Sequence, residues 1–377
     1  MEIKSFLKTL NIINSGEFFT GVPDSLLSPL CDYLMVNQGI GKRHIIAANE
    51  GNAVALAAGY HLATGKIPIV YMQNSGIGNT VNPIASLLNE KVYGIPCIFI
   101  VGWRGEPGVK DEPQHVFQGE VTVTLLEVMN IHTMVIGEST TAEDISAKIG
   151  KFKEILSQGK SIAFVIKKGA LTSKEKGKYK NDYSLLREEI IREITSVSDN
   201  DIIVSTTGKA SRELFEIRER NHQAHKYDFL TVGSMGHSSS IALSIALNKP
   251  NSKIWCIDGD GAALMHMGAM AVIGANSPAN LIHIVINNCS HETVGGMPTV
   301  GGKINFTQIA EGCGYKKIIA VDNVRELKEA LRDVRKSNQL CFVEIKASLG
   351  SRADLGRPTT TAKENKDKFM EYLKELK

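Results

Sequence analysis

Short apolar runs recur along the chain and alternate with longer segments whose apolar residues are spaced three or four positions apart. In the first half, the apolar runs predict strands at residues 44–48, 67–72, 97–101, 132–136 and 161–166. Segments between them, such as 49–64 and 80–90, have the spacing that is typical of helices. This alternation predicts an α/β domain whose parallel sheet is covered by helices on both faces.

The same alternation resumes in the second half. The predicted strands lie at residues 201–205, 228–232, 253–258, 281–286, 317–321 and 340–346. The predicted helices lie at residues 183–196, 210–220, 237–246, 262–275, 306–312, 324–336 and 361–377. A second parallel-sheet α/β domain follows from this pattern, and no middle or third domain is expected.

A lysine-rich stretch separates the two halves. It reads KKGALTSKEKGKYKND and contains few core-forming residues, which is typical of a solvated linker whose charges need no ligand. We therefore predict domains at residues 1–168 and 183–377, joined by a linker at 169–182. A chain of 377 residues exceeds the usual size of a single hydrophobic core, so its length also favours two domains.

Composition and charge narrow the functional classes. The first residues, MEIKSFLKTL, resemble an amphipathic helix more than a signal peptide, and no apolar run is long enough for a membrane span. The net charge is only +3, and no basic run with interleaved aromatic residues gives support for nucleic-acid binding. Six scattered cysteines fit no metal-binding spacing, which predicts reduced core thiols in a cytoplasmic protein.

Two polar loops follow neighbouring predicted strands of the second domain, Gly259-Asp260-Gly261 and Asn287-Asn288. Both loops are expected at the carboxyl edge of one sheet, because such strand–helix–strand units have parallel strands. Carboxylate and amide oxygens are ligands that Mg²⁺ prefers, and a helix N-terminus favours an anion such as a diphosphate. A turn that uses Gly and Asp only for its geometry, or a magnesium–nucleotide site in a regulatory α/β protein, explains the triplet alone as well.

The spacing of these loops resembles the cofactor motif of the thiamine diphosphate-dependent enzymes, since 25 residues separate the Gly-Asp-Gly triplet from the Asn pair. The resemblance implies that Asp260, Asn288 and the backbone carbonyl of Ser290 bind the Mg²⁺ that carries the diphosphate. It further implies that Gly259 and Gly261 allow the cofactor to approach the backbone closely. The expected cofactors are therefore thiamine diphosphate and Mg²⁺.

Two further segments resemble the same family. Glu50 precedes a small-residue helix that ends in Gly-Tyr, and the resemblance implies that Glu50 is catalytic and hydrogen-bonds atom N1′ of the cofactor's pyrimidine. Favourable placement of a Glu in the first turn of a helix is the structural alternative. In the sequence TVGSMGH, the resemblance implies that Met235 supports the bent cofactor and that the carbonyl of Gly233 bonds the pyrimidine amino group.

Two loops after first-half strands, GVPDS and DEPQH, contain acidic and histidine residues that resemble the family's substrate-handling and proton-transfer groups. The matching residues are Asp24 and His115, with Ser25 as a substrate contact. A surface turn at Pro23-Asp24 is the alternative to a catalytic Asp24. A catalytic thiol at Cys289 is a different alternative, although no base lies next to it in the sequence.

Four stretches, GVPDS, NEGNAVALAAGY, HETVGGMPT and GSRADLGRPTT, resemble the compact branch of this family that decarboxylates phosphonopyruvate. The nearest relatives act on sulfopyruvate and are commonly divided into two subunits at the linker, so a single chain favours phosphonopyruvate. A phosphonate needs cationic partners. The candidate cations near predicted strand ends are Arg104, Lys209, Arg212, Arg352 and Arg357, and the GSRADLGRP match ranks Arg352 and Arg357 first. A solvated surface charge is the alternative for each.

The resemblance implies that the chain decarboxylates a 2-oxo acid to an aldehyde. A carboligase such as acetolactate synthase shares the cofactor motifs, but it normally has a middle domain that this chain lacks. Glu50 and Asp260 lie in different predicted domains, and the family usually pairs the two domains across subunits. The resemblance therefore also implies a homo-oligomer, at least a dimer.

Overall fold

A computed structural model describes residues 1–13 and 18–376. The chain forms two compact units, namely Met1–Lys178 with Val294–Met297, and Tyr179–Thr293 with Pro298–Lys377. The break after Lys178 lies inside the predicted linker at 169–182. The four residues Val294–Met297 belong to the first unit, whereas the sequence assigns them to the second domain.

The first unit is built on a parallel sheet. Its strands are β1 (Phe19–Gly21), β2 (His44–Ile46), β3 (Ile69–Gln73), β4 (Ile98–Gly102), β5 (His132–Ile136) and β6 (Ile162–Ile166). Their order across the sheet is β2-β1-β3-β4-β6-β5. The helices are α1 (Ile3–Leu10), α2 (Ser28–Asn37), α3 (Glu50–Thr64), α4 (Ile77–Pro83), α5 (Pro113–Val128) and α6 (Ala142–Ser157).

Helices cover both faces of this sheet, as the continuous apolar runs predict. Phe164 of β6 packs edge-to-face with Phe6 of α1 and with Phe152 of α6, at ring-centroid distances of 5.5 Å each. The next residue along β6, Val165, points to the opposite face and joins a core that contains Ala57 of α3. Strands buried on both faces are the reason why β4 and β6 have no alternating polar positions.

The structure corrects the predicted helix at residues 80–90. The helical segment begins earlier, as α4, and continues from Pro83 into a π-helical turn, Ile84–Leu88. Pro83 has no N–H and its ring clashes with the preceding turn, so the regular hydrogen-bond ladder changes at this residue. Strand β1 and helices α2, α5 and α6 were not predicted.

The second unit contains another six-stranded parallel sheet. The strands after residue 179 are β7 (Ile202–Ser205), β8 (Asp228–Leu230), β9 (Ile254–Gly259), β10 (Leu281–Asn287), β11 (Ser290–His291), β12 (Met297–Pro298), β13 (Lys317–Val321) and β14 (Cys341–Lys346). The six-stranded sheet has the order β13-β14-β10-β9-β7-β8. Two parallel-sheet α/β units without a middle domain confirm the predicted fold class.

The helices that cover the second sheet are α7 (Arg187–Ser198), α8 (Lys209–Arg220), α9 (Ser238–Asn248), α10 (Asp260–Met265), α11 (Gly268–Asn276), α12 (Phe306–Cys313), α13 (Val324–Lys336) and α14 (Ala362–Glu375). Among the residues that the structure describes, no helix combines the length and apolar character that a membrane crossing requires. Strands β9 and β10 are parallel neighbours, with Ile257 opposite Ile284. The loops that follow them therefore leave the same edge of the sheet, as the sequence predicts.

The single helix predicted at residues 262–275 was wrong, because the segment forms α10 and α11 with a break at His266. His266 leaves the helical conformation, with φ −133° and ψ 49°. Its ring lies against the ring of His237, at a centroid distance of 4.3 Å. This contact joins two loops that are distant in sequence, so the local apolar spacing does not predict the break.

Candidate functional site

Glu50 is the first residue of α3, at the carboxyl edge of the first sheet. Helix α3 begins there because the side chain of Asn49 accepts a hydrogen bond from the N–H of Asn52 at 2.9 Å and caps the helix. The Glu50 side chain is buried, and its Oε2 accepts a hydrogen bond from Asn79 Nδ2 at 2.7 Å. Burial raises the pKa of Glu50 despite this bond, which favours a protonated carboxyl that can itself donate a hydrogen bond.

Asp24 lies just after β1, whose carboxyl end meets the same edge. The residue is fully buried, and its Oδ1 accepts a hydrogen bond from Gln73 Nε2 at 2.6 Å. Its Oδ2 accepts another from the N–H of Leu26 at 3.1 Å. Burial raises the pKa of Asp24, although the bond from Gln73 and the charge of Arg104 oppose the rise. A buried, partnered carboxyl is not what a surface turn requires, and this favours a functional role for Asp24.

Arg104 follows β4 and lies close to Asp24 and Ser25. Its Nε donates to Asp111 Oδ2 at 2.8 Å, and its Nη2 donates to Asp111 Oδ1 at 2.5 Å. The remaining Nη1 donates to Ser25 Oγ at 3.3 Å. The sequence places Arg104 below Arg352 and Arg357 among the candidate cations, although Arg104 follows a strand and lies among polar loops.

His115 lies in the first turn of α5, so its predicted location in a loop was wrong. The helix begins at Pro113, whose fixed φ suits a first helical position. Burial, followed by the nearby charge of Arg104, lowers the pKa of His115 and favours the neutral ring. Its Nδ1 is buried and has no hydrogen-bond partner within the described part of the chain.

Close backbone packing joins the Arg104 loop to the turn that contains His115. Gly105 has φ +67°, and a Cβ at this position would lie 1.8 Å from the carbonyl oxygen of His115. On the other side, a Cβ at Gly119 would lie 1.7 Å from the carbonyl oxygen of Gly105. Only glycine fits at these two positions. The first unit thus brings Asp24, Ser25 and His115 together around Arg104.

Asp260 opens α10 at the edge of the second sheet. It is 2% exposed, and its Oδ2 accepts a hydrogen bond from the hydroxyl of Thr299. Burial raises the pKa of Asp260 to about 6, while hydrogen bonds from Thr299 and from the N–H groups of Gly261 and Asn288 oppose the shift. Thr299 was not predicted as a site residue, because only the folded loop places it against Asp260.

Asn288 and Ser290 lie in the loop after β10. Asn288 Oδ1 accepts a hydrogen bond from the N–H of Ser290 at 3.1 Å, and Asn288 Nδ2 donates to Glu292 Oε2 at 2.9 Å. The hydroxyl oxygen of Ser290 is buried and lacks a hydrogen-bond partner among the residues described. Cys289 between them has φ +59°, a left-handed conformation that the tight loop imposes.

These groups fit a magnesium ion. Asp260 supplies a carboxylate, Asn288 an amide oxygen, and Ser290 a buried hydroxyl next to the predicted backbone carbonyl, and Mg²⁺ prefers such oxygen ligands. A Cβ at Gly301 would lie 2.8 Å from Asp260 Oδ2, so the absence of a side chain there preserves space beside the carboxylate. The donor set contains no nitrogen or sulfur ligand that would favour a softer metal.

Met235 lies beside the Gly-Asp-Gly turn. It belongs to the loop between β8 and α9, and a Cβ at Gly261 would lie 3.3 Å from its Cε. Gly233 in the same loop has φ +66°, and its N–H donates to Thr207 Oγ1 at 3.0 Å. The second unit therefore brings the glycine loop, the triplet and the Asn pair to one edge of its sheet.

Arg352 forms ion pairs at the surface of α7 and α8. Its Nε lies 3.0 Å from Glu188 Oε2 and its Nη1 lies 3.0 Å from Asp354 Oδ2, while its Nη2 contacts Glu216. Three carboxylates therefore surround one guanidinium. Arg357 is exposed. Neither arrangement leaves a buried positive charge directed at an edge of the sheet.

Glu292 connects the Asn288 loop to two cations, Arg187, which was not predicted as a site residue, and Lys209, which was a lower-ranked candidate for the phosphonate. It accepts hydrogen bonds from Arg187 Nη1 and from Lys209 Nζ, each at 2.8 Å. Arg187 is also bonded to Glu213 at 2.7 Å.

As for the alternative of a catalytic thiol, burial raises the pKa of Cys289, which disfavours the reactive thiolate.

Comparisons with known proteins match these two units separately. Residues 6–126 match the model of the thiamine pyrophosphate enzyme N-terminal TPP-binding domain. Residues 206–345 match the model of the C-terminal TPP-binding domain of the same enzymes. The first match contains Glu50, Asp24 and His115, and the second contains Asp260 and Asn288.

Curated relatives extend over most of the chain. A phosphonopyruvate decarboxylase of Streptomyces viridochromogenes is 30% identical over 94% of this chain and 90% of its own length. A sulfopyruvate decarboxylase of Methanosarcina acetivorans is 28% identical over 78% of this chain and 79% of its own. The beta subunit of the Methanococcus maripaludis sulfopyruvate decarboxylase is 35% identical over 39% of this chain. Because the Methanosarcina relative matches as one chain, the fusion of the halves does not separate the two substrate classes.

Proposed function

This chain belongs to the thiamine diphosphate-dependent decarboxylases, and on that premise we propose that it converts 3-phosphonopyruvate to 2-phosphonoacetaldehyde and carbon dioxide with Mg²⁺ as the second cofactor. The observation that carries the substrate assignment is the 30% identity to a phosphonopyruvate decarboxylase over 94% of the chain. The match to a sulfopyruvate decarboxylase is shorter, at 78% of the chain. Sulfopyruvate is therefore the second candidate substrate.

The second unit has the role of holding the diphosphate end of the cofactor. Thiamine diphosphate supplies an electron sink next to the substrate carboxylate, which is the chemistry that no protein side chain provides. Asp260, Asn288 and Ser290 bind Mg²⁺, and Gly259 and Gly261 allow the diphosphate to lie close to the backbone. The fit of these oxygen donors to Mg²⁺ supports this proposal.

Glu50 and the glycine loop act at the other end of the cofactor. Burial raises the pKa of Glu50, which favours the protonated carboxyl that would donate a hydrogen bond to the pyrimidine nitrogen N1′. Met235 supports the bent cofactor, and the carbonyl of Gly233 accepts a hydrogen bond from the pyrimidine amino group. The Cε of Met235 would lie 3.3 Å from a Cβ at Gly261, and this closeness to the Gly-Asp-Gly turn supports the assignment of Met235.

Asp24 and His115 handle protons near the substrate, and Ser25 contacts the substrate. Burial raises the pKa of Asp24 and lowers that of His115, so the two values shift towards each other. The shifted pKa values of Asp24 and His115 support the proposal that these two residues transfer a proton to the product carbon.

A homo-oligomer, at least a dimer, completes the proposal. Light scattering at assay concentrations tests the oligomeric state directly, and an active monomer would contradict the proposed oligomer.

For Mg²⁺, the variant Asp260→Asn is expected to weaken binding of thiamine diphosphate, measured by fluorescence titration with and without Mg²⁺. Unchanged affinity in both titrations would refute the assignment of Asp260.

The substrate proposal is tested with purified protein, thiamine diphosphate, Mg²⁺ and phosphonopyruvate. Carbon dioxide and phosphonoacetaldehyde are measured together, the aldehyde by NMR of its phosphorus nucleus. We expect the two products in equal amounts and no release when thiamine diphosphate is omitted. Release of carbon dioxide with a condensed product in place of the aldehyde would indicate a carboligase.

A further inference from the structure

A substrate with a phosphonate or sulfonate group presents a tetrahedral oxyanion in addition to its carboxylate. An oxyanion of this kind is bound by charge-assisted hydrogen bonds, most often from a guanidinium. The sequence match directs attention to Arg352, but three carboxylates already surround its guanidinium. An additional anion at Arg352 would lie close to Glu188, Glu216 and Asp354 and would be repelled by them.

Arg104 has a different environment. Resting on the proposed function, we infer that Arg104 and Ser25 form the subsite for the phosphonate or sulfonate group of the substrate. Arg104 forms a direct ion pair with one carboxylate, that of Asp111, while Asp24 and Glu112 are near enough to act on its charge. It lies among the loops that contain Asp24 and His115. The sequence makes Arg104 only one of five candidate cations for the phosphonate and ranks it below Arg352 and Arg357, and Ser25 has only a general contact with substrate.

The geometry leaves one edge of the guanidinium for a ligand. Asp111 occupies the edge formed by Nε and Nη2. The group Nη1 points toward Ser25 Oγ at 3.3 Å, a long hydrogen bond between two groups that can both donate to an oxyanion. Asp111 therefore orients the guanidinium, and Nη1 together with the Ser25 hydroxyl offers donors to two oxygens of one tetrahedral group.

The position of Arg104 is fixed before any ligand arrives. Its N–H donates to Asn74 Oδ1 at 3.2 Å, and its carbonyl oxygen accepts from Asn74 Nδ2 at 2.7 Å. Asn74 is itself fully buried and donates to Thr122 Oγ1 at 2.8 Å. A guanidinium that is held at both the backbone and the side chain loses little entropy when it binds an anion.

The charge of Arg104 also reaches the two groups that are proposed to handle protons. It opposes the rise of the Asp24 pKa and contributes to the lowering of the His115 pKa. Arg104 contacts Ser25, which follows Asp24 directly, and the adjacent Gly105 packs against the backbone of His115, so one small substrate can reach all three side chains. A three-carbon acid that places its oxyanion at Arg104 would bring its carbonyl end toward Asp24 and His115.

The experiment compares Arg104→Gln with wild type on phosphonopyruvate and on pyruvate, which lacks the phosphonate group. We expect kcat/KM for phosphonopyruvate to fall about 10- to 100-fold more than kcat/KM for pyruvate, because only phosphonopyruvate loses a charge-assisted hydrogen bond. The loss of the Arg104 charge near Asp24 and His115 affects both substrates alike. Arg104→Lys keeps the charge and is expected to recover part of the loss. The matched control is Arg220→Gln, since Arg220 is an ion-paired arginine on the exposed face of α8.

A binding measurement separates recognition from turnover and from misfolding. Phosphonoacetate, which cannot be decarboxylated by this chemistry, is titrated calorimetrically into holoenzyme of wild type, Arg104→Gln and Arg220→Gln. Binding that is lost in Arg104→Gln, while thiamine diphosphate affinity and the melting temperature stay near those of wild type, supports the subsite. If Arg104→Gln loses its thermal transition, Arg104→Lys and Ser25→Ala provide the same comparison.

Two outcomes overturn the subsite and remain distinguishable from failure of the proposed function. If wild type prefers phosphonopyruvate and Arg104→Gln loses activity equally on both substrates, the function stands and the subsite is refuted. If Arg352→Gln shows the selective loss instead, the phosphonate binds at Arg352. If wild type does not decarboxylate phosphonopyruvate or sulfopyruvate at all, the proposed function fails, and the subsite inference fails with it.

Discussion

The side-chain amide of Asn288 donates a hydrogen bond of 2.9 Å to Glu292, and this bond determines which face of the amide carries the oxygen. With Nδ2 bound to Glu292, Oδ1 accepts the hydrogen bond from the Ser290 N–H, and it is the atom proposed to bind the metal. Arg187 and Lys209 in turn hold Glu292 in place. Groups that orient a metal ligand in this manner affect metal affinity without touching the metal.

The variant Glu292→Ala is therefore expected to weaken Mg²⁺ binding about 10-fold or more, since the amide of Asn288 becomes free to rotate. Mg²⁺ affinity is measured by titration of apo protein in the presence of saturating thiamine diphosphate. Glu219→Ala serves as the control, because Glu219 lies on the exposed side of α8 and pairs only with His225 among the described residues. Equal Mg²⁺ affinities for both variants would show that Glu292 does not orient Asn288.

Glu50→Gln is expected to lower kcat about 100- to 10,000-fold, the usual contribution of an acid–base group, while thiamine diphosphate still binds. The reason is that Gln has nearly the same shape as Glu but carries no acidic proton for the N1′ position. Steady-state decarboxylation and a cofactor titration measure the two effects separately. Retention of wild-type turnover would contradict the catalytic role of Glu50, and the exposed Glu120→Gln on α5 is the control.

The fold was predictable to the extent that local patterns determine it. Strands such as β4 and β6 are uninterrupted apolar runs, so their position and parallel pairing follow from the sequence. Strand β1, with only three residues, is too short for a periodic signal. The break at His266 depends on packing against His237, which is a tertiary contact.

The site residues were predictable where they belong to a sequence motif. They were less predictable where only the folded chain brings them together. Asp260 and Asn288 were identified from their spacing, and the structure brings their loops to one edge. Thr299 contacts Asp260 although 39 positions of sequence separate them, and Asn74 holds Arg104 although 30 positions separate them. No local pattern predicts either contact. Arg352 and Arg104 are equally charged in sequence, and only their neighbours distinguish them.

A buried ion pair stabilises the second unit. Arg218 donates through Nε and Nη2 to both carboxylate oxygens of Asp228, at 2.9 Å each, and both side chains are almost fully buried. Asp228→Ala is expected to cost about 3–5 kcal/mol, because it leaves the guanidinium buried without its partner. Urea denaturation measures the loss.

The exposed pairs of Arg220 provide the matched comparison on the same helix. Arg220→Ala is expected to change the free energy of unfolding by about 1 kcal/mol or less, since exposed pairs are weakened by solvent. Similar losses for Asp228→Ala and Arg220→Ala would contradict the importance of burial. A further variant in which Leu replaces Asp228 and Met replaces Arg218 should recover stability relative to Asp228→Ala.

His44 gives the first unit a dependence on pH. Burial lowers its pKa from the ordinary value of 6.5, and its ring nitrogens lie 2.8 Å from the carbonyl oxygen of Gly39 and 2.8 Å from the hydroxyl of Tyr71. Below pH 6.5 the unfolded chain takes up a proton at His44 before the folded chain does. Stability is therefore complete above pH 6.5 and is lost as the pH falls below it, until the pKa of the folded state is reached.

The contribution of one such histidine is at most about 1.4 kcal/mol per pH unit. Urea denaturation between pH 7.5 and pH 5, in steps of about half a unit, measures the slope for wild type and for His44→Gln. We expect a shallower slope for His44→Gln, whatever its absolute stability. Identical slopes would show that His44 keeps its ordinary pKa in the folded protein.

The proposal that this decarboxylase acts on phosphonopyruvate is tested most directly by a comparison of specificity constants. Release of carbon dioxide is measured for phosphonopyruvate, sulfopyruvate and pyruvate with the same preparation, saturated with thiamine diphosphate and Mg²⁺. We expect the highest kcat/KM for phosphonopyruvate, about 100-fold above that for pyruvate, because pyruvate has no phosphonate group for the charged donors of the substrate site. A higher kcat/KM for sulfopyruvate or for pyruvate would contradict phosphonopyruvate as the substrate.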